Sequence, residues 1–221
     1  MLSRLNRRAL LAGVAALGSI CAVSAHAAGD PVAGTPVAGD PTVGEKKFYT
    51  CVGCHGIDDY KNAYPDYSVP RLRHQNSAYI ISALNEYKSG ERPHATMHAQ
   101  ASSLSDEDMQ DIAAYLQGAE PVKPSAKIVG SVPPQVATCT ACHGENGLGV
   151  DAPMTPKPPV LAGQHVDYLE QALTTYRNGR RKNAVMDTMA QNLKSDEDVK
   201  IVAAYFASQP SPLTTAKTTS E

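Results

Sequence analysis

Thr50–Gly56 reads TCVGCHG, and Thr138–Gly144 reads TCTACHG. Each stretch holds Cys-x-x-Cys-His: Cys51, Cys54 and His55 in the first, Cys139, Cys142 and His143 in the second. That spacing attaches a c-type haem. The two thiols add to the vinyl groups of the porphyrin, and the adjacent imidazole reaches the iron from one side. One helical turn starting inside the motif sets both sulfurs at one porphyrin edge with the imidazole aimed at its centre. A redox dithiol or half of a zinc site also uses Cys-x-x-Cys, and two pairs could form one four-cysteine zinc knuckle. Both copies, however, carry histidine in the same adjacent place and continue into glycine, which a zinc ribbon does not require. Neither is preceded by the strand run that a thioredoxin-like site needs. The expected cofactors are therefore two covalently bound haem c groups.

The chain of 221 residues suffices for one medium domain or two small ones. It has no Trp and two Phe, so a core made of protein alone would be poor, and a haem in each half would supply the missing apolar body. Four of the five cysteines lie in the motifs and the fifth, Cys21, lies in a leader, which leaves no pair for a structural disulfide. Residues 1–27 read as a secretory signal. Arg4, Arg7 and Arg8 open it, Leu10–Val23 is an apolar run too short for a comfortable membrane span, and Ala25-His26-Ala27 is a small-x-small cleavage pattern. Cleavage is expected after Ala27, with export by the general secretion route, because haem c is attached to an unfolded exported chain. Ile20 is a poor neighbour for a lipidated Cys21. The whole chain has 20 Lys and Arg against 22 Asp and Glu, and the leader holds three Arg and no acid, so the mature chain carries a net charge of −5. That excludes nucleic acid as an expected partner. It suits a periplasmic protein with no membrane span in its mature form, acting as a monomer or weak dimer and docking weakly on other proteins.

Residues 28–43, rich in Gly, Pro and Ala, read as a flexible arm. A short helix over Glu45–Tyr49 is expected to lead into the first motif. From Pro70–Leu104 against Pro159–Leu193 the two halves align without gaps at an offset of 89. Gln75/Gln164, Tyr79/Tyr168, Ala83/Ala172, Leu84/Leu173, Tyr87/Tyr176, Gly90/Gly179, Arg92/Arg181 and Met97/Met186 all match. This is an internal duplication. Tyr79, Ile80, Ala83, Leu84 and Tyr87 fall at helical spacing before Gly90, and Tyr168, Leu169, Ala172, Leu173 and Tyr176 repeat the pattern before Gly179. The last helix of each half opens on a cap, Ser105-Asp106-Glu107-Asp108 and Ser195-Asp196-Glu197-Asp198. No strand-like alternation of useful length appears, so the fold is expected to be all-α. It divides into domain one at 44–118, a proline-rich linker at 119–134, domain two at 135–208 and a disordered tail at 209–221. Val132-Pro133-Pro134 implies a short or absent first helix in domain two.

The second iron ligand decides between electron transfer and chemistry. Histidine with methionine gives a closed, six-coordinate iron with a raised potential, whereas an open face suits ligand binding or catalysis. Met97 lies seven residues before Leu104 and Met186 seven before Leu193, and only this methionine pair occurs in both halves. A lone methionine at helical spacing is usually core filler; a pair at equivalent places in two haem modules reads as ligands. Met189 is the rival for the second haem. His94 and His98 flank Met97, but their repeat partners are Asn183 and Asp187. His74 and His165 also lack histidine partners and read as surface residues. Met109 pairs with Val199, and Met154 has no partner. Pro70 and Pro159 admit two readings: a backbone carbonyl that accepts the Nδ1–H of the proximal histidine, or a loop-stiffening proline.

These motifs together resemble the class I cytochrome c fold, and the duplication resembles the cytochrome c4 family. The resemblance covers about residues 44–208. It rests on CVGCHG and TACHG, on Pro-x-Leu in both halves, on Leu161–His165 (LAGQH), on Tyr-x-x-x-Ala-Leu-x-x-Tyr before Gly, and on Met followed seven residues later by Leu and a capped helix. It implies thioether links at Cys51, Cys54, Cys139 and Cys142. It further implies proximal ligands His55 and His143, distal ligands Met97 and Met186, and the carbonyl role for Pro70 and Pro159. The first half departs from the family pattern with LRHQN where LAGQ is favoured. The implied function is that of a di-haem electron carrier rather than an enzyme. Its partners would be a quinol–cytochrome c reductase or dehydrogenase upstream and a haem–copper terminal oxidase downstream. A haem subunit of a periplasmic dehydrogenase is an alternative. So is a di-haem enzyme such as a thiosulfate dehydrogenase, with one open or displaceable distal ligand.

Overall fold

The computed structural model describes residues 39–125, 127–150, 152, 154 and 157–218. The secretory leader expected over 1–27, Cys21 within it, and most of the expected arm lie outside the described residues. Among these residues the first half holds five helices: α1 (Pro41–Lys47), α2 (Tyr49–His55), α3 (Ser77–Ser89), α4 (Ala95–Ser102) and α5 (Asp106–Gln117). The second half opens on a single 3-10 turn, Pro134–Val136, followed by α6 (Thr140–His143), α7 (Val166–Arg177), α8 (Ala184–Gln191) and α9 (Asp196–Ala207). Among the described residues, extended pairing is limited to isolated bridges, Lys61 with Ser68 and Arg73 with Thr214. None of their helices is long and apolar enough to cross a membrane.

The caps explain the helix starts. Asp40 accepts from the amides of Thr42 and Val43, with Pro41 in the first turn of α1. The helix expected over Glu45–Tyr49 therefore begins earlier, inside the stretch expected to be flexible, and ends at Lys47 before α2 opens at Tyr49. Ser105 with Asp108 and Ser195 with Asp198 form reciprocal capping boxes at α5 and α9. Gly90 ends α3 at φ +84, a left-handed conformation that costs glycine little.

Each half closes its own core. Phe48, Ile80, Ile112, Ala113, Tyr115 and Leu116 build the first; Val136, Leu169, Leu193, Val199, Val202, Ala203, Tyr205 and Phe206 build the second. Val136 stands three residues before Cys139 as Phe48 stands three before Cys51. The halves differ where α1 crosses α5; in the second half only the 3-10 turn Pro134–Val136 takes that place against α9 among the described residues. Lys47 pairs with Asp108 at 2.6 Å and Asp111 at 2.8 Å, and the Asp40 amide donates to Asp111. Gly44 makes the crossing possible, because a Cβ there would lie 2.0 Å from the Asp111 carbonyl oxygen. Backbone cannot yield as a flexible side chain does, so Gly44→Ala is expected to push α1 off α5. A destabilisation of about 1–3 kcal/mol is the scale for such overpacking. Chemical denaturation should show it as a lowered midpoint of the transition in which both halves unfold together.

The tail is a second departure. Residues 209–221 were expected to be disordered, yet the described part, 209–218, is packed. Gln209, Leu213 and Ala216 are buried, and Thr214 pairs with Arg73 of the first half. Ala216 belongs to the first core, so the chain returns after α9 to the half in which it began.

Candidate functional site

In the first half α2 carries Cys51, Cys54 and His55 on one short helix, with His55 at its C-terminal end. In the second half Cys139 precedes α6, which carries Cys142 and His143. Residues three apart on a helix share a face, so each cysteine pair presents both sulfurs on one side. None of the four cysteines is paired in a disulfide, and all four are half-buried. Burial pushes the Cys51 and Cys139 thiols up, against a small opposing effect of the neighbouring Thr50 and Thr138 hydroxyls. Raised Cys51 and Cys139 thiols run against the lowered pKa of a poised redox dithiol. Cys51 packs on the first core and Cys139 on the second, so the two pairs do not converge on one four-cysteine centre.

The two histidines are held alike. His55 Nδ1 lies 3.1 Å from the Pro70 carbonyl oxygen, and His143 Nδ1 lies 3.2 Å from that of Pro159. Both rings are buried. Burial lowers the His55 pKa to about 4; the Pro70 carbonyl opposes this, and His94 and Arg92 add to it. Burial likewise lowers that of His143. A neutral imidazole that donates from Nδ1 keeps the Nε2 lone pair for a metal.

Met97 and Met186 occupy the third residue of α4 and of α8 and are half-buried in both places. The Met97 amide donates to His94 Nδ1 at 3.3 Å, and the Met186 amide donates to Asn183 Oδ1 at 3.0 Å. His94 is thus the cap of α4, as Asn183 is of α8. His98 Nδ1 contacts the Tyr87 carbonyl at 2.8 Å. Both histidines flanking Met97 therefore have local work. Met109 is wholly buried in α5, while Met189 lies one turn beyond Met186 and is half-buried.

The surface between the halves was not foreseen, although its residues are among the matched repeat pairs. Gln75 Oε1 accepts from the Val160 amide at 2.8 Å, and its Nε2 donates to the Val160 carbonyl at 3.0 Å. Gln164 does the same to Arg71, at 2.9 and 3.0 Å. Arg71 and Val160 are themselves repeat equivalents, so exchanging the halves maps this clamp onto itself. They also follow Pro70 and Pro159 directly. Each histidine-holding carbonyl is therefore one residue from a backbone unit gripped by the other half.

Beside the clamp lie two buried guanidinium groups. Arg92 donates to the hydroxyls of Tyr168 at 2.6 Å and Tyr79 at 3.4 Å, and stacks over Tyr87. Arg181 stacks over Tyr176 and pairs with Glu86 at 3.1 Å. Burial opposes ionisation of the Tyr79 phenol, but the two cations outweigh it and hold its pKa below the usual range. Arg181 Nε is buried without a hydrogen-bond partner. Buried cations with an unspent donor call for anions, and a haem carries two carboxylates. The paired thiols, the neutral imidazole with a free Nε2 and these cations form a donor set that fits one covalent haem in each half. The available signal for the interface was chemical: Gln and Arg kept identical in two diverged copies of the repeat.

Comparison with known proteins agrees. The cytochrome c family pattern matches residues 43–120 and again 135–210. A thiosulfate dehydrogenase electron acceptor from Stutzerimonas stutzeri strain A1501 is 35% identical over 173 residues, covering 71% of this chain and 77% of that protein. Cytochrome c4 from Stutzerimonas stutzeri is 33% identical over 206 residues, covering 82% and 90%. Among solved structures, reduced recombinant cytochrome c4 from Pseudomonas stutzeri superposes with a TM-score of 0.58 at 30% identity, covering 78% of this chain and all of that one. Thiosulfate dehydrogenase from Marichromatium purpuratum superposes with a TM-score of 0.59 at 26% identity over 77% of this chain, which spans 40% of that longer protein.

Proposed function

Because the chain belongs to the cytochrome c family, with one family domain and one covalent haem c in each half, we propose that it is a periplasmic shuttle moving electrons from a respiratory donor to a terminal oxidase. When bound, each haem supplies a one-electron iron couple. The chain's own residues do the rest. Cys51, Cys54, Cys139 and Cys142 hold the two groups covalently. His55 and His143 would each supply one iron ligand, turned by the Pro70 and Pro159 carbonyls and kept neutral by burial. Met97 and Met186 would supply the second ligand of each iron, and a methionine ligand raises the potential. The glutamine clamp fixes one half against the other, so the two centres keep one mutual geometry through each cycle. The observation that carries this reading is the repetition of the complete set, two thiols, a carbonyl-held histidine and a helix-borne methionine, in both halves.

Carbon monoxide is the test. The reduced di-haem protein should show two low-spin haems that ignore carbon monoxide. Binding at one haem in the folded protein would mean an open or weakly held iron and would turn the reading toward a di-haem enzyme.

A second upstream donor is favoured by the relative named as an electron acceptor of thiosulfate dehydrogenase. Such an enzyme would deliver its electrons singly to either haem. Mixing the oxidised protein with a thiosulfate dehydrogenase and thiosulfate, or with a quinol–cytochrome c reductase and quinol, should give rapid reduction by the true donor. Weak, brief docking is expected of such redox pairs.

A further inference from the structure

The segment after α9 links the two haem sites in a way the duplication does not require. Gln209 is buried and grips the linker, accepting from the Val129 amide at 2.9 Å and donating to its carbonyl at 3.0 Å. Leu213 packs with Val160 and Ala162 of the second half. Thr214 then exchanges both backbone hydrogen bonds with Arg73 of the first half, at 3.0 and 3.3 Å. Ala216 is fully buried in the first core. The Lys217 carbonyl accepts from the Tyr115 hydroxyl at 2.7 Å, and its ammonium pairs with Asp58 at 3.0 Å.

Between these anchors the Ala216 amide donates to the His55 carbonyl at 3.0 Å. His55 is the last residue of α2, and the final carbonyls of a helix have no partner within it. The second half meets the same need locally: the His143 carbonyl accepts from the Gly149 amide at 2.7 Å, six residues on in its own loop. In the first half the matching position is Lys61, which is bridged to Ser68 instead. The first site has no such donor from its own loop and takes one from the far end of the chain.

We propose that residues 213–217 are a strap by which the C-terminal end of the chain positions the proximal histidine of the first haem site, with Ala216 as a positioning residue for that site alone. The proposal rests on His55 being an iron ligand. Without the strap, the His55 carbonyl faces water and the buried end of α2 opens. Water access favours the more highly charged ferric state, which lowers the potential of the first haem and leaves the second unchanged.

Three forms of the intact di-haem protein test this: Ala216→Pro, which removes the donor; Ala216→Gly, which keeps it; and a chain ending at Thr215, which removes the donor and keeps Leu213 on Val160. Each haem is assigned to its half by nuclear Overhauser contacts between haem methyls and residues of α2 or α6. Loss of the donor or of the strap should weaken reduction of the first haem about tenfold, about 59 mV for a one-electron couple. Ala216→Gly should stay near wild type, and in the unaltered protein the Ala216 amide should exchange slowly with deuterium. Equal shifts at both haems, no shift at either, or free-peptide exchange at Ala216 would overturn the strap. Should a variant fail to fold, amide exchange in the unaltered protein and in Ala216→Gly decides. If His55 is not a ligand, the unaltered protein will lack hyperfine-shifted His55 ring protons, which separates that failure from failure of the strap.

Discussion

Replacing Met97 with alanine is expected to yield a reduced protein in which one haem of two binds carbon monoxide, and Met186→Ala should expose the other. Each methionine is the third residue of its helix, and each amide is fixed by the residue three before it. The two sulfurs therefore leave equivalent backbone positions in the two halves. The alternatives are occupied or unpaired in the repeat. His94 caps α4, His98 contacts the Tyr87 carbonyl, and Met109 is wholly buried opposite a valine in the repeat. Loss of a methionine ligand should also lower the potential of that haem by an appreciable part of the roughly 0.8 V that axial ligands span. Absorbance and potentiometry read both effects, and the untouched haem serves as the internal control. A Met186→Ala protein that stays closed to carbon monoxide, with Met189→Ala opening it, would reassign the second haem to Met189. If neither variant opens an iron, the methionine reading is wrong for both halves.

Much of this architecture was legible because covalent haem attachment leaves a mark in side chains. Cys-x-x-Cys-His fixes two thiols and an imidazole by spacing, and the duplication doubles that mark and sorts Met97 and Met186 from the other methionines. What escaped notice is carried by backbone. The strap reaches His55 through the Ala216 amide and Arg73 through the Thr214 peptide group, and any non-proline residue supplies such groups. Its composition, SPLTTAKTTS from Ser211, is polar, with burial resting on Leu213 and Ala216. The early start of α1 was disguised by Pro41 and Gly44. Yet Asp40-Pro41 is a helix-start signal, and Gly44 is there for the close crossing with α5 rather than for flexibility. The interface escaped for a third reason. A glutamine amide has the donor and acceptor of a peptide group, so it can pair with a backbone unit as a strand neighbour does, while in sequence it reads as an exposed polar residue.

That pairing leads to the other large effect: Gln75→Ala combined with Gln164→Ala should uncouple the halves. Gln75 is 3% exposed and Gln164 4%, and each Oε1 also accepts from the next residue's amide, Asn76 or His165. Truncation leaves the N–H and C=O of Val160 and of Arg71 without these partners at the interface. Each buried group left unsatisfied costs about 1–3 kcal/mol. Because the two glutamines are equivalent by the repeat, either single variant should weaken the contact by a similar amount. The double variant should lose most of what makes the halves unfold together, since each half retains its own core. Urea unfolding followed at the haem bands should change from one transition to two. The two potentials should also move, because Arg71 and Val160 adjoin the carbonyls that hold His55 and His143. A double variant that unfolds in one step at wild-type stability would show that the other contacts between the halves, the buried Arg92 and Arg181 cluster and the strap over 213–217, bind them together.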